Sequence, residues 1–207
     1  MRLTFMKSSS STNTRNLVLA ALFIAIILVQ VLVPFLGYIP LGLTAIGLQI
    51  SIIQFTVAIA AIVMGPWWGG LIGGVWGLAS LIQAWTTVYN LGAFLFRNPV
   101  TAIVPRVMIG IVVGYIFQEL AVKRQHRGLG LALSGFMASF TNTALVVLFS
   151  WLTIVMFHIY FPGIPHSGTF TWILLSLVGA NGIAEMIAGV IIVPIIGGAL
   201  LAVKRAR

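Results

Sequence analysis

Cysteine is absent, acidic residues number two in 207 positions (Glu119 and Glu185), and charged residues of all kinds make up 6% of the chain. Each shortage closes a class of function. Without thiols there are no disulfides, no thiolate zinc sites and no cysteine nucleophile. Two carboxylates leave little for acid/base catalysis, and little for the acidic relay of a proton- or sodium-coupled carrier. The lysines are Lys7, Lys123 and Lys204, none behind a glycine-rich loop, so no P-loop for ATP exists. HExxH and GxSxG are missing as well. Soluble domains carry about 25% charged residues, and so strong a depletion points to the lipid bilayer.

What the chain has in quantity is apolar sequence, 60% of its residues. A helix needs about 20 mostly apolar residues to cross roughly 30 Å of hydrocarbon. Punctuated by Pro, Gly and polar clusters, the sequence predicts six such helices: 16–33, 48–64, 67–84, 99–122, 129–157 and 170–203. The first run is long and no small-residue cleavage site follows it, so it reads as a retained helix. The expected organisation is a polar, disordered N-terminal tail over 1–14, an all-α integral membrane domain over 15–203, and a basic tail over 204–207.

Orientation follows from the basic residues. Six spans put Arg2, Lys7, Arg15, Lys123, Arg124, Arg127, Lys204, Arg205 and Arg207 on one side, which the positive-inside rule makes cytoplasmic. Both termini are then cytoplasmic. An odd number of spans, with one segment re-entrant, scatters these clusters over both faces. The net charge of +9 therefore reads as membrane anchoring and gives no indication of nucleic-acid binding. The outer connections, near 34–47, 85–98 and 158–169, are long and rich in aromatics, Gly and Pro, which places function on the outer side.

Four patterns carry chemistry. Ala21 and Ala25 form a small-xxx-small pair one turn apart on the first helix, where another helix backbone can approach closely. The run WWGGLIGGVWGLAS spaces Gly69, Gly73 and Gly77 four apart and makes a smooth face for close helix packing. In Arg97-Asn98-Pro99…Pro105-Arg106, Arg106 lies seven residues into its helix, about 10 Å below the end at 1.5 Å per residue. An arginine at that depth faces either a water-filled cavity or a partner charge. It either grips an anionic ligand, to which guanidinium binds bidentately, or pairs internally with Glu185. Asn181 and Glu185, four apart, share one face of the last helix. Asn181 is the better ligand contact, and Glu185 is either a contact or a counter-ion. Asn142 is expected to hydrogen-bond between helices. His158 and His166 lack carboxylate neighbours, so no metal and no cofactor is expected.

Taken jointly, six helices with cytoplasmic ends, the Ala21/Ala25 pair and the long outer loops resemble the S component of energy-coupling-factor (ECF) vitamin transporters. The likeness covers nearly the whole chain. The segment FRNPVTAIVPRVMIG is similar to the pantothenate-type version. The resemblance implies a multi-pass protein of the cell membrane that is not an enzyme. Such a subunit captures a vitamin near the outer face and topples to deliver it inward. Its partners are a transmembrane coupling subunit and two ATPases. On this reading Ala21 and Ala25 meet the coupling subunit, and Arg97, Asn98 and Arg106 line the pocket with Trp85, Tyr89, Asn90 and Asn181. Pantothenate, a small polar carboxylate, suits two outward arginines. Riboflavin, cobalamin or a pyridoxine-like vitamin stay open, as does a self-sufficient carrier or channel.

Overall fold

A computed structural model describes residues 9–40, 49–87, 91–157 and 168–205. Helix α1 spans Ser9–Leu32, and a single turn α2, Pro34–Gly37, leads into strand β1, Tyr38–Pro40. Strand β2, Gln49–Ser51, pairs antiparallel with β1, Tyr38 opposite Ser51 and Pro40 opposite Gln49. Then come α3 (Ile53–Met64), α4 (Pro66–Thr86), the short α5 (Leu91–Phe96), α6 (Pro99–Phe117), α7 (Arg127–Phe157) and α8 (Gly168–Arg205). A π-helical turn, Gln118–Lys123, prolongs α6.

The fold is helical, as the apolar runs require, and boundaries differ from expectation most in two places. Helix α1 begins at Ser9, inside the stretch expected as tail. Ser and Thr are modest helix formers, yet extending an existing helix costs far less than nucleating one. Residues 1–8 and 206–207 lie outside the described residues. The second helix starts at Ile53 rather than Leu48, because Gln49–Ser51 are drawn into the hairpin.

Four described helical segments are long and apolar enough to cross a membrane: Thr14–Leu32, Pro99–Lys123, Arg127–Ile154 and Gly179–Val203. Helix α3 has only 12 residues, and α4 is diluted by Gly, Ser, Gln and Thr. The outward faces are apolar: Leu17, Val18 and Leu32 on α1, and Ile187, Ile191 and Ile195 on α8, are exposed, as lipid contact requires. Ile27, Ile53, Phe55, Val57, Ile72, Trp76, Ile109, Val113 and Val193 make the core.

The backbones of α4 and α6 come into close contact. A Cβ on Gly73 would collide with the Arg106 carbonyl, and one on Gly110 with the Gly69 backbone. Helices packed this closely gain dispersion contact, the main attraction available where lipid supplies no hydrophobic drive. Gly73→Ala is therefore expected to lower the melting temperature in detergent by several degrees, since inserting a methyl into a packed core costs about 1–3 kcal/mol. Gly128→Ala, with nothing within 4 Å of its Cβ, is the control and should leave it unchanged.

Candidate functional site

The site grows out of an irregularity in α6. Pro105 has no N–H, so the carbonyl four residues earlier, that of Thr101, loses its helical donor. Arg106 supplies the replacement: its Nη1 donates to Thr101 O at 2.8 Å. The guanidinium is thereby folded back along its own helix, and it is buried, 4% exposed. Its Cζ lies 4.2 Å from the Phe96 ring centroid and 4.9 Å from that of Trp76. Two ring faces at this distance stabilise a desolvated cation. They do not use its donors, and Nε has no hydrogen-bond partner among the described residues.

Glu185, 3% exposed, provides the opposite charge. Its Oε1 accepts from the Ser51 backbone N–H at 2.8 Å and from Asn181 Nδ2 at 3.4 Å. The Gln54 side chain lies beside the same carboxylate and donates through Nε2 to Ser139 Oγ at 3.1 Å. Arg106 and Glu185 lie within electrostatic reach of one another, yet no nitrogen–oxygen pair between them is as close as 4.0 Å. They are not an ion pair. Around them, Gln54 Oε1, Trp76 Nε1 and Thr101 Oγ1 are buried without a hydrogen-bond partner among the described residues. Buried polar atoms are nearly always bonded in folded proteins, so these atoms make the cluster a candidate site for a polar guest.

The other sequence candidates fall in different places. Arg97 donates from Nε to Ala84 O at 3.1 Å and stacks 5.0 Å over the exposed Trp85. Asn98 caps α6, its Oδ1 accepting from Val100 N at 2.9 Å, while Nδ2 donates to Thr153 Oγ1 at 2.8 Å. These contacts fix where α6 starts and so set the height of Arg106. Asn181 belongs to the buried cluster through Glu185. Tyr89, Asn90, His158 and His166 lie outside the described residues. Ala21 and Ala25 are exposed on α1, turned away from its buried Ala20, Phe23 and Ile27.

Several contributors were not foreseen in the sequence: Trp76, Phe96, Ser51, Gln54 and Tyr38. Trp76 had a signal, a bulky aromatic in a run where glycines recur at helical spacing. Gln54 had one too, an amide in an apolar run. Tyr38 reaches the site through the hairpin pairing, for which the sequence shows no hydrophobic alternation.

Residues 15–197 match the family described as ECF transporter, substrate-specific component. The chain belongs to that family. It is 44% identical over 194 residues to the pantothenate transporter PanT of Leuconostoc mesenteroides subsp. mesenteroides, covering 93% of this chain and 95% of the relative. It is 28% identical over 210 residues to the pantothenic acid transporter PanT of Lactococcus lactis subsp. cremoris, covering 94% of this chain and 96% of that one. This S component is therefore a multi-pass membrane protein and a transport subunit rather than an enzyme. Its family implies a vitamin substrate and an ECF module as partner.

Proposed function

We propose that this S component captures pantothenate at the outer face of the cell membrane and hands it to an ATP-driven ECF module. The observation that carries this reading is the buried guanidinium of Arg106, which has no carboxylate partner among the described residues. Its Nε, without a partner among the described residues, and Nη2 on the same edge offer the side-on fork that takes a carboxylate through two parallel hydrogen bonds. Pantothenate brings that carboxylate at one end, with an amide and two hydroxyls along the rest. Trp76 Nε1, Thr101 Oγ1 and Gln54 Oε1 supply donors and acceptors for them. Both named relatives are pantothenate transporters, which supports the same vitamin here.

The arrangement in the membrane is six spans with both termini cytoplasmic, supported by the basic clusters at 2–15, 123–127 and 204–207. With α6 running inward from Pro99, Arg106 lies in the outer half of the bilayer. Ala21 and Ala25 form the contact with the transmembrane coupling subunit, two ATPases complete the module, and the S component topples to release its vitamin inward.

Calorimetry on the purified chain with a panel of B vitamins tests this. Submicromolar binding of pantothenate, with no heat from riboflavin, cobalamin or pyridoxine, is the expected outcome. A different preferred vitamin, or transport by the lone chain in liposomes, would overturn it.

A further inference from the structure

A backbone N–H of the β1–β2 hairpin is bonded to a buried acceptor on the helical body. In an antiparallel pair, residues alternate between those that exchange backbone hydrogen bonds and those that do not. Ile52 N donates to Gly37 O at 2.8 Å, which makes the next pair, Tyr38 and Ser51, the non-exchanging kind. The Ser51 N–H therefore points out of the ladder, and it donates to Glu185 Oε1 on α8 at 2.8 Å. This bond joins residues 134 positions apart and is buried. Directly across the hairpin from Ser51 stands Tyr38, which packs against the core beside Trp76 and lies within electrostatic reach of Arg106.

We infer that Glu185 is a positioning residue: through Ser51 it holds the root of the hairpin and thereby sets Tyr38 against Trp76 and Arg106. An internal counter-ion would touch Arg106, and Glu185 does not. It accepts instead from the Ser51 backbone and from Asn181. Asn181, a turn earlier on α8, steadies the same oxygen, and Gln54, bonded to Ser139 of α7, closes the carboxylate from the α3 side. The anchor thus ties the hairpin, α3, α7 and α8 together beside the guanidinium. Its ligand-dependent consequence rests on reading the Arg106 site as the pantothenate pocket.

The test compares Glu185→Ala, Glu185→Gln and Ser51→Pro with the wild-type chain. Glutamine keeps an oxygen that accepts the same N–H, whereas proline removes the donor and leaves Glu185 untouched. Hydrogen–deuterium exchange of the β1 amides, without ligand, should accelerate at least tenfold in Glu185→Ala and Ser51→Pro. It should stay within threefold in Glu185→Gln. Pantothenate dissociation should follow the same order, about tenfold faster in the first two, as expected when a hydrogen bond to a charged group is lost. Unchanged exchange in Ser51→Pro overturns the inference, and that arm stands if Glu185→Ala does not fold. So does a Glu185→Gln chain as impaired as Glu185→Ala, which would assign the effect to charge. If wild type binds no pantothenate, the proposed function fails while the exchange arm still judges the anchor.

Discussion

Arg106→Ala is expected to weaken pantothenate binding more than a hundredfold and to erase the preference for pantothenate over panthenol, its neutral alcohol counterpart. Two hydrogen bonds to an ionised group are lost, each contributing roughly 1.5–3 kcal/mol. The lower end already sums to about 3 kcal/mol, and each 1.4 kcal/mol is a tenfold change in Kd. Alanine also leaves a void between Trp76 and Phe96, so a general loosening could imitate a lost contact. Two comparisons separate these causes. Arg106→Gln fills most of the space but has no charge, and it should lose the same discrimination between acid and alcohol. Arg106→Lys keeps a charge without the fork and should fall between the two. Panthenol should bind the wild type weakly because its hydroxymethyl end cannot use the fork, so its affinity should change far less in either neutral variant. Titration by calorimetry reads all of this. Pantothenate affinity within threefold of wild type in a folded Arg106→Ala chain would remove the carboxylate clamp altogether.

Much of this site was open to inspection in the sequence, and the reason is chemical cost. An arginine inside an apolar helix is expensive to bury, so Arg106 stood out without any knowledge of its neighbours. Pro105 beside it announced a freed carbonyl, and the structure shows that carbonyl bonded to the very next residue's side chain. The glycines spaced by four on α4 likewise named a close helix contact, found against α6. The hairpin was different. Its three-residue strands are too short to show alternation, and the bond that secures β2 comes from Glu185, far along the chain. Long-range pairing leaves no local signal. For the same reason Glu185 could not be assigned in advance: its role depends on which donor reaches it first. Arg97 and Asn98 illustrate the converse. Their polarity near Arg106 suggested the pocket, yet the contacts seen for them belong to the start of α6: Ala84 O and Trp85 for Arg97, and the helix cap with Thr153 for Asn98.

Ala21→Trp should abolish pantothenate uptake by cells that carry the ECF module while leaving binding by the purified chain within threefold of wild type. The face of α1 decides this. Ala20, Phe23, Ile27 and Val31 are buried, spaced by three and four as one side of a helix must be. Ala21 and Ala25 are exposed beside Leu22, Leu28 and Val29, so a large ring at position 21 projects away from the core and from Arg106. In lipid such a ring is tolerated. Against a partner helix it holds the backbones apart, and close approach is what a pair of small residues one turn apart provides. Two neighbouring substitutions give the result its meaning. Ala20→Trp places the same bulk in a position only 4% exposed and should lose binding and uptake together. Ile195→Trp adds it to an exposed position on α8 and should lose neither. If Ala21→Trp also loses binding, the residue packs internally; if uptake persists, this face of α1 is not where the module docks. The expected pattern, capture intact and delivery gone, separates the pocket around Arg106 from the surface through which an external ATPase drives it.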